Sequence, residues 1–399
     1  MNQQGQATTR VANTLIVTAH PEFLDAALHE IQNFASGWGV AARFIAPRGG
    51  ADAQEGHTPL LGAINRAQPL PIEILAPGIA LCTVPDAAAV LHLAMENRPI
   101  FVRHLAPVQA IVNLTNTEQD VGELALAIAS LPTFDQLERR QYFAVQTRFA
   151  YNDASPHNAI RPYSSGSLNQ LLAEAIAEET GAVESIKKPQ IVVSLLCTAE
   201  KGYLGISTVQ ENLSDWPGGA RHFAQRPEQI SRAEFKLLEA LEVFGVALPS
   251  GGQVLDLGAA PGGWARLLLE AGMSVVAVDP ANLDLRLEEQ PRLEHYRGYT
   301  ETYLEGAIKK HRSFDVITND MRMDARDAAR LLVQARRCLH TDGFVISTLK
   351  LPHATREINP LSTLNEALRI LSKGYGIVQT RQLFHNRQEV TVIAAQPGG

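Results

Sequence analysis

The C-terminal part of the chain, from Gly252 onward, alternates short apolar runs with stretches of helical periodicity, and this alternation constrains the fold more than any other feature. Strands are predicted at residues 254–258, 274–279, 293–298, 314–320, 343–350, 377–384 and 389–395. Helices are predicted between them, at about residues 262–272, 300–310, 324–340 and 359–373. Apolar strands that alternate with helices predict an α/β fold whose parallel sheet is covered on both faces. Because only residues 385–388 separate the last two strands, these are predicted to form an antiparallel hairpin.

The first half of the chain has a less regular pattern, which predicts an α+β region. A strand at 15–20 is followed by an amphipathic helix, and a helix at 168–180 is ended by Gly181. Further strands are predicted at residues 142–150, 190–198 and 202–209. A loop near 211–229, rich in Pro, Gly and charge, is predicted to link the two halves of the chain.

The bulk properties of the chain exclude several classes of protein. Its 399 residues exceed what one hydrophobic core usually serves, so two or more domains are expected. The net charge of −7 argues against a protein that coats nucleic acid non-specifically, although it leaves room for local basic surface. Cys82, Cys197 and Cys338 lie far apart with no CxxC spacing, so neither a disulfide framework nor a metal site is expected.

No targeting or membrane segment is predicted. The opening residues, MNQQGQATTR, lack the basic segment followed by an apolar one that marks a signal peptide. The longest apolar stretch, residues 74–95, is broken by Pro77, Pro85 and Asp86, so it cannot supply the roughly 20 apolar residues of a membrane span. A cytoplasmic protein is therefore expected.

A glycine-rich loop, Asp256-Leu-Gly-Ala-Ala-Pro-Gly-Gly-Trp264, joins the first predicted strand of the sheet to its first helix. Glycine at position 258 lets the backbone turn sharply and approach a ligand without a Cβ in the way. The helix that begins near Gly262 offers unpaired N–H groups to a ligand in that crevice. Asp279 ends the next strand, where a carboxylate can accept hydrogen bonds from ribose hydroxyls. The loop therefore suits a ligand that carries a nucleoside.

Two other nucleotide motifs fit this loop poorly. Its spacing is GxxxGG rather than the GxGxxG of dinucleotide sites, and Pro261 removes a hydrogen-bond donor. A P-loop would need a Gly-Lys-Ser/Thr ending, which is missing. The plain alternative is a tight glycine turn without a ligand, and the acidic strand end at Asp279 argues against it.

Four ionisable residues from distant segments are predicted to meet at one edge of the sheet. Asp320 and Lys350 each end a parallel strand, at the carboxyl edge where such folds bind ligands. Glu389 begins the final antiparallel strand, so its start lies at the same edge. Lys236 lies in the first turns of a helix that should run opposite to the strand at 254–258. Each residue has an ordinary surface or capping interpretation, but their convergence beside the glycine-rich loop favours a catalytic site.

The loop DLGAAPGGW resembles the S-adenosylmethionine motif of the FtsJ/RlmM group of RNA ribose 2′-O-methyltransferases, and the resemblance covers about residues 226–396. It implies a Rossmann-like class I methyltransferase sheet. The residues that would bind S-adenosylmethionine are Asp256, Gly258, Ala259, Pro261, Gly262, Gly263, Trp264, Asp279 and Asp320. The surroundings SRAEFKL, TNDM, STLKLP and HNRQEVTV match the family's Lys-Asp-Lys-Glu tetrad, which implies catalytic roles for Lys236, Asp320, Lys350 and Glu389.

The resemblance implies methylation of a ribose 2′-hydroxyl in RNA, with a cytidine of large-subunit ribosomal RNA as the target if the likeness extends to substrate. Transfer RNA is the main alternative. A cofactor-binding RNA chaperone without turnover is a second, and the four intact tetrad residues argue against it. A base N-methyltransferase is a third. Such enzymes commonly carry Asn/Asp-Pro-Pro-aromatic where this chain has Thr318-Asn-Asp-Met321. Lys350 is the best candidate for the base, although it could instead only orient the hydroxyl.

The region before the methyltransferase-like domain is also interpreted by resemblance. Residues 136–225 look like a THUMP domain, a module that binds RNA, and residues 1–135 are assigned no role. A purely structural or oligomerising role for this half stays open. Three domains are therefore predicted, at residues 1–135, 136–225 and 226–399. Arg226 and Arg232 flank the predicted mouth of the site and are candidate contacts to RNA phosphates.

Overall fold

The computed structural model describes residues 8–37, 43–45, 69–150, 161–355 and 357–398. They divide into two compact units between Arg221 and His222, and residues 43–45 belong to the second unit. The strands are β1 (Thr9–Thr18), β2 (Arg43–Ile45), β3 (Ile72–Ala76), β4 (Ile79–Thr83), β5 (His104–Asn113), β6 (Tyr142–Phe149), β7 (Val183–Glu184), β8 (Ile191–Cys197), β9 (Lys201–Thr208), β10 (Gln253–Leu257), β11 (Ser274–Val278), β12 (Leu293–Tyr296), β13 (Phe314–Asn319), β14 (Leu339–Lys350), β15 (Tyr375–Arg381) and β16 (Glu389–Pro397). The helices are α1 (Leu24–Ala35), α2 (Ala87–Glu96), α3 (Gln119–Ala129), α4 (Ser165–Thr180), α5 (Glu234–Phe244), α6 (Gly263–Glu270), α7 (Thr300–Lys309), α8 (Ala325–Ala335) and α9 (Pro360–Ser372).

The first unit is built on one mixed sheet of eight strands in the order β3-β4-β1-β5-β9-β8-β6-β7. Strand β6 runs parallel to both β7 and β8, whereas the other neighbours are antiparallel. Helices α3 and α4 pack together over this sheet, where Leu124, Leu168 and Leu172 share a buried cluster with Phe143. The predicted domain boundary at residue 135 falls within this sheet, because β5 before it pairs with β9 after it.

Helix α4 illustrates how local sequence sets an element in this unit. It begins after Ser164, whose hydroxyl accepts the Ser167 N–H while the Ser167 hydroxyl lies 2.9 Å from the Ser164 nitrogen, a reciprocal capping box. It ends at Gly181, which has a φ of +73° and needs no Cβ in that left-handed conformation. The helix predicted at 168–180 is thus confirmed, with one additional turn at its start.

The second unit contains the predicted α/β sheet, with strand order β12-β11-β10-β13-β14-β16-β15-β2. The first five strands are parallel, and β16 pairs antiparallel with both β14 and β15. This confirms the predicted Rossmann-like sheet with its C-terminal hairpin. The structure adds β2, which pairs antiparallel with β15 at the sheet edge. It also ends β15 at Arg381 rather than at 384, because a turn at 383–386 is closed by the Leu383 N–H donating to the Asn386 side chain at 2.9 Å.

Both faces of this sheet are covered. Val316 of β13 lies in the apolar cluster that includes Leu237 of α5 and Leu268 of α6. Its neighbour Ile317 points to the opposite face, since side chains alternate along a strand, and it is equally buried. Strand β10 lies at the centre, between β11 and β13, where the order of the strands reverses. Such a switch point opens a crevice at the carboxyl ends of the strands, which is where the site residues lie.

Candidate active site

The glycine-rich loop leaves the carboxyl end of β10 with a left-handed turn. Gly258 has a φ of +71° and Gly262 a φ of +106°, backbone conformations that L side chains rarely adopt. A Cβ on Gly258 would lie 2.2 Å from Cγ of Met321, and one on Gly262 would lie 2.3 Å from Cδ1 of Leu287. The turn predicted at Gly258 is therefore present, but the space beside it is filled by the protein's own methionine.

The remaining loop residues are held by neighbouring segments. Ala259 is 6% exposed and belongs to the core cluster under α6. The Pro261 carbonyl accepts the Asp284 N–H at 2.9 Å. A Cβ on Gly263 would lie 2.4 Å from the Ser231 hydroxyl and 3.1 Å from Cγ of Glu234, so a larger residue there would require these side chains to move.

Asp279 follows β11 and ties the end of that strand to the loop. One carboxylate oxygen accepts the Ala260 N–H at 3.1 Å, and the other accepts the Ala281 N–H at 2.8 Å. A carboxylate offers about four lone-pair sites, so these two bonds leave acceptor capacity on a side chain that is half-buried. Asp279 therefore lies where the sequence predicted it and keeps the ability to bind hydroxyl groups.

Asp256 and Trp264, the two ends of the motif, are buried in the interior. Asp256 is 2% exposed, and its Oδ1 accepts the Thr318 hydroxyl at 2.8 Å. Burial, and to a smaller extent the charges of Asp320 and Asp279, raise the pKa of the Asp256 carboxyl to about 7, although the Thr318 hydrogen bond opposes the shift. The Trp264 indole N–H donates to the Ala233 carbonyl at 2.7 Å, and the ring packs in the core between α5 and α6. In this structure Trp264 is a core residue.

The four predicted tetrad residues meet in one cluster. The Lys236 ammonium lies 2.8 Å from Oε1 of Glu389 and 3.2 Å from both carboxylate oxygens of Asp320. The Lys350 ammonium lies 2.5 Å from Oδ1 of Asp320 and also donates to Oε2 of Glu389. The two cations and two anions alternate around a closed ring, in which each charge contacts both charges of opposite sign.

Sheet register explains why the ring forms. Lys350 and Glu389 are directly paired residues of the antiparallel strands β14 and β16, and Asp320 follows the adjacent parallel strand β13. Lys236, on the first turn of α5, completes the ring from outside the sheet. Glu389 is 7% exposed, which excludes the ordinary interpretation of it as a surface residue.

The charges of the ring stabilise one another. Burial opposes the charged form of Lys236, but the carboxylates of Asp320 and Glu389 outweigh it, so the pKa of that ammonium is raised. Burial likewise disfavours the Asp320 carboxylate, yet Lys350 and Lys236 together hold its pKa below the ordinary value. Lys236 and Asp320 therefore remain charged at neutral pH.

Three polar residues that the sequence analysis missed support the ring. The Thr348 hydroxyl donates to Asp320 and lies 2.7 Å from the Lys350 ammonium. The Asn386 amide is 3.4 Å from Glu389, and buried Glu239 binds the backbone of residues 384–385. Thr348, a polar residue within the apolar run of β14, is the one of the three that a sequence pattern could have indicated.

The two arginines proposed as phosphate contacts have different surroundings. Arg226 lies 3.6 Å from Glu270 in an exposed ion pair, so its charge is partly engaged. Arg232 is exposed in the turn before α5, four residues ahead of Lys236. Arg232 is thus nearer to Lys236 along the chain than Arg226 is.

Within residues 8–37, 43–45, 69–150, 161–355 and 357–398, no group of three or more His, Cys, Asp or Glu side chains is arranged to hold a metal ion. Among the helices of that same part of the chain, none is both long and apolar enough to cross a membrane.

Comparison with known proteins places this unit in context. Residues 229–392 match the family described as FtsJ-like methyltransferase. Two curated relatives are named "Ribosomal RNA large subunit methyltransferase M". The one from Halorhodospira halophila is 33% identical over 182 residues, which is 45% of this chain and 51% of that protein. The one from a Shewanella species is 30% identical over 221 residues, which is 53% of this chain and 59% of that protein.

The chain therefore spans little more than half the length of these curated relatives. Among solved structures, TrmN from Thermus thermophilus is 17% identical, with 96% of this chain and 99% of that chain covered and a TM-score of 0.35. The resemblance to the FtsJ/RlmM group is confirmed for the C-terminal unit, over a segment close to the predicted 226–396. The THUMP-like assignment of residues 136–225 stays a prediction.

Proposed function

We propose that this protein transfers a methyl group from S-adenosylmethionine to a ribose 2′-hydroxyl of RNA, and that its substrate is large-subunit ribosomal RNA. The observation that carries the proposal is the closed ring of Lys236, Asp320, Lys350 and Glu389 at the carboxyl edge of the sheet. The match of residues 229–392 to FtsJ-like methyltransferases supports the reaction. The names of the relatives support the substrate. Action on ribosomal RNA implies a cytoplasmic location.

The crevice beside β10 fits the cofactor. Asp279 retains acceptor capacity for the two ribose hydroxyls of the nucleoside, and the first turn of α6 directs its amides toward the same crevice. Bound S-adenosylmethionine supplies a methyl group on a positively charged sulfur. Asp279 and the loop residues Gly258, Ala259 and Gly262 would hold it beside Asp320, whose carboxylate is the member of the ring closest along the sheet to β10.

The ring has two tasks toward the acceptor ribose. The first is alignment of the hydroxyl, and well-oriented reactants recover roughly 7–11 kcal/mol of the barrier in this way. The second is to control the loss of the proton from that hydroxyl as the methyl group is transferred. The Lys350 ammonium has three N–H donors, and it faces three acceptors, on Asp320, Thr348 and Glu389. A hydroxyl that enters the ring must displace one of these contacts before Lys350 can bind it, and this arrangement favours Lys350 as the residue that orients the hydroxyl.

The test of the proposed function is transfer of labelled methyl groups to total RNA from a strain that lacks the enzyme, followed by nuclease mapping of the labelled nucleotide. We expect label on a ribose of large-subunit ribosomal RNA. Label on a base would overturn the reaction, and label on transfer RNA would overturn the substrate. Cofactor binding without any transfer would instead support the alternative of an RNA chaperone.

A further inference from the structure

We propose that Glu239, which lies outside the tetrad, is a positioning residue that holds the helix carrying Lys236 against the turn that precedes Glu389. This inference rests on the proposed function, because it assigns Glu239 a role in the same ring. Glu239 lies three residues after Lys236 on α5, within one helical turn. Its carboxylate reaches the connection between β15 and β16, which ends at Glu389.

The contacts of Glu239 are those of an anchored carboxylate. The side chain is 2% exposed, so its charge must be stabilised by hydrogen bonds. One oxygen accepts the Phe384 N–H at 2.8 Å, and the other accepts the His385 N–H at 2.9 Å. The second oxygen also lies 2.9 Å from Nδ1 of His385, which donates to the carboxylate in the tautomer that has its proton on Nδ1. Two of the three donors are backbone amides, whose positions are fixed by the turn.

The ring depends on this attachment because Lys236 is held differently from its partners. Asp320, Lys350 and Glu389 lie at the ends of hydrogen-bonded neighbouring strands, so the sheet fixes their spacing. Helix α5 lies outside the sheet, so its position relative to these strands depends on side-chain contacts. Lys236 must lie within about 3 Å of both carboxylates, and mispositioning of about 1 Å can cost around 100-fold in rate.

The surroundings of His385 extend the attachment to the first turn of α5. Its ring centroid is 5.4 Å from that of Phe223, with planes 27° apart, and 5.1 Å from that of Phe235, the residue before Lys236. The next residue, Asn386, is 1% exposed and contacts Glu389 through its amide. A continuous set of contacts therefore runs from Lys236 through Phe235, His385 and Asn386 to Glu389.

A carboxylate is required at position 239 because three N–H donors converge there. Glutamine would offer one acceptor oxygen, and its own NH₂ group would face donors rather than acceptors. In Glu239→Gln we expect kcat for RNA methylation to fall at least 10-fold, with the Kd for S-adenosylmethionine and the KM for RNA changed less than twofold. The matched control is Glu242→Gln, the same change at an exposed position of the same helix, for which kcat should stay within twofold.

A second readout does not depend on activity. In nitrogen-15 NMR spectra of the lysine ammonium groups, assigned with Lys236→Met and Lys350→Met, the Lys236 resonance should shift in Glu239→Gln and stay in place in Glu242→Gln. If Glu239→Gln does not fold, His385→Phe takes its place, because it keeps the aromatic packing and both backbone contacts of Glu239. This variant loses the Nδ1 donor, and we expect a smaller fall in kcat with the same shift of the Lys236 resonance.

The outcomes separate this inference from the proposed function. Wild-type kcat in a folded Glu239→Gln protein would overturn the positioning role. The positioning role would also be overturned if activity fell only in proportion to the amount of folded protein and the Lys236 resonance did not shift. If the wild-type protein methylates no RNA, the proposed function fails, and the NMR spectra alone then decide whether Glu239 positions Lys236.

Discussion

Lys350 is the residue on which the chemistry of the ring converges, since it contacts Asp320, Glu389 and Thr348 together. We expect Lys350→Ala to lower the rate of methyl transfer by at least about 100-fold, which is the cost of misplacing a reacting group by about 1 Å. Cofactor affinity should stay within a few fold, because Lys350 lies on β14 rather than beside the loop after β10. Single-turnover methylation and calorimetric cofactor binding measure the two quantities.

The matched control for this change is Lys373→Ala, at an exposed position that ends α9. That variant should keep both the wild-type rate and the wild-type cofactor affinity. If a folded Lys350→Ala protein loses cofactor binding, Lys350 belongs to the cofactor site and has no place in the catalytic role.

Asp256 gives a second prediction at the scale of one residue. Its pKa is about 7 in the folded protein, mainly because it is buried, against about 3.9 in an unfolded chain. Between pH ~4 and ~7 the folded state therefore holds a proton on Asp256 that the unfolded state has released, so the contribution of Asp256 to the free energy of unfolding should fall as pH rises through this window and level off above it. The size is on the order of 4 kcal/mol.

Asp256→Asn removes this contribution, so the difference in the free energy of unfolding between wild type and variant, measured by urea unfolding at pH 5, 6, 7 and 8, should fall through the same window. Burial lowers the pKa of His104 to about 3, and its opposite effect on stability is the same in both proteins. Asp320 does not mask the effect. Its pKa is lowered by Lys350 and Lys236 against the effect of burial, so the stability it contributes is lost only as pH falls below about 4. An Asn variant with the wild-type slope would show that another group titrates in this range.

At the scale of elements, hydrophobic periodicity and the rules of sheet topology predicted the strands and helices of the second unit. Seven of the eight strands of the second unit were predicted from short apolar runs between helical stretches, and the carboxyl-edge rule predicted that Asp320, Lys350 and Glu389 lie together. Strand β2 has only three residues, and its partner β15 lies near the other end of the chain, so no local pattern marks it.

The sequence does not indicate which side chains point into the core, because that depends on how the elements pack. Trp264 belongs to the loop motif, but it lies on α6, where its side chain points into the core. Glu239 has the composition of any helical surface acid, and only the packing of α5 against the turn at 384–385 buries it. The local sequence pattern identifies a strand or helix and the edge of the sheet at which it ends. These contacts depend instead on how two elements approach each other.

The turn after β10 supplies a prediction at this scale. Gly258→Ala places a Cβ 2.2 Å from Cγ of Met321 in a left-handed backbone, a conformation that costs an L residue roughly 1–2 kcal/mol. We expect lower stability in urea unfolding and weaker cofactor binding. In the double variant with Met321→Ala the steric part should be relieved and the backbone part should persist, so that stability recovers only partly. Full recovery would show that the left-handed turn carries no cost.

At the scale of the whole molecule, each unit has its own eight-stranded sheet and its own core. In the first unit the sheet includes strands from both sides of residue 135, where a boundary between two domains was predicted. Pairing between β5 and β9 joins the two segments through backbone hydrogen bonds. Segments that share a sheet and a core are expected to unfold together, and segments that form separate domains need not.

The three buried cysteines can test which description holds. Cys82 on β4 and Cys197 on β8 lie on opposite sides of residue 135 within the first unit, and Cys338 lies in the second. Burial raises the pKa of the Cys82 thiol to about 11 and that of Cys197 to about 12, so neither should react with a thiol reagent in the native protein. Labelling across a urea series, read by peptide mass spectrometry, gives an unfolding midpoint for each.

We expect Cys82 and Cys197 to become reactive at the same urea concentration, because opening either strand disrupts the sheet that holds both. Cys338 reports the second unit, so its midpoint can differ without affecting this comparison. Cys82→Ala serves as the control, and in it the Cys197 midpoint should shift only as far as global stability does. If Cys197 reacts at a clearly lower urea concentration than Cys82, residues 136–225 unfold as a domain of their own, and the division predicted at residue 135 is the correct one.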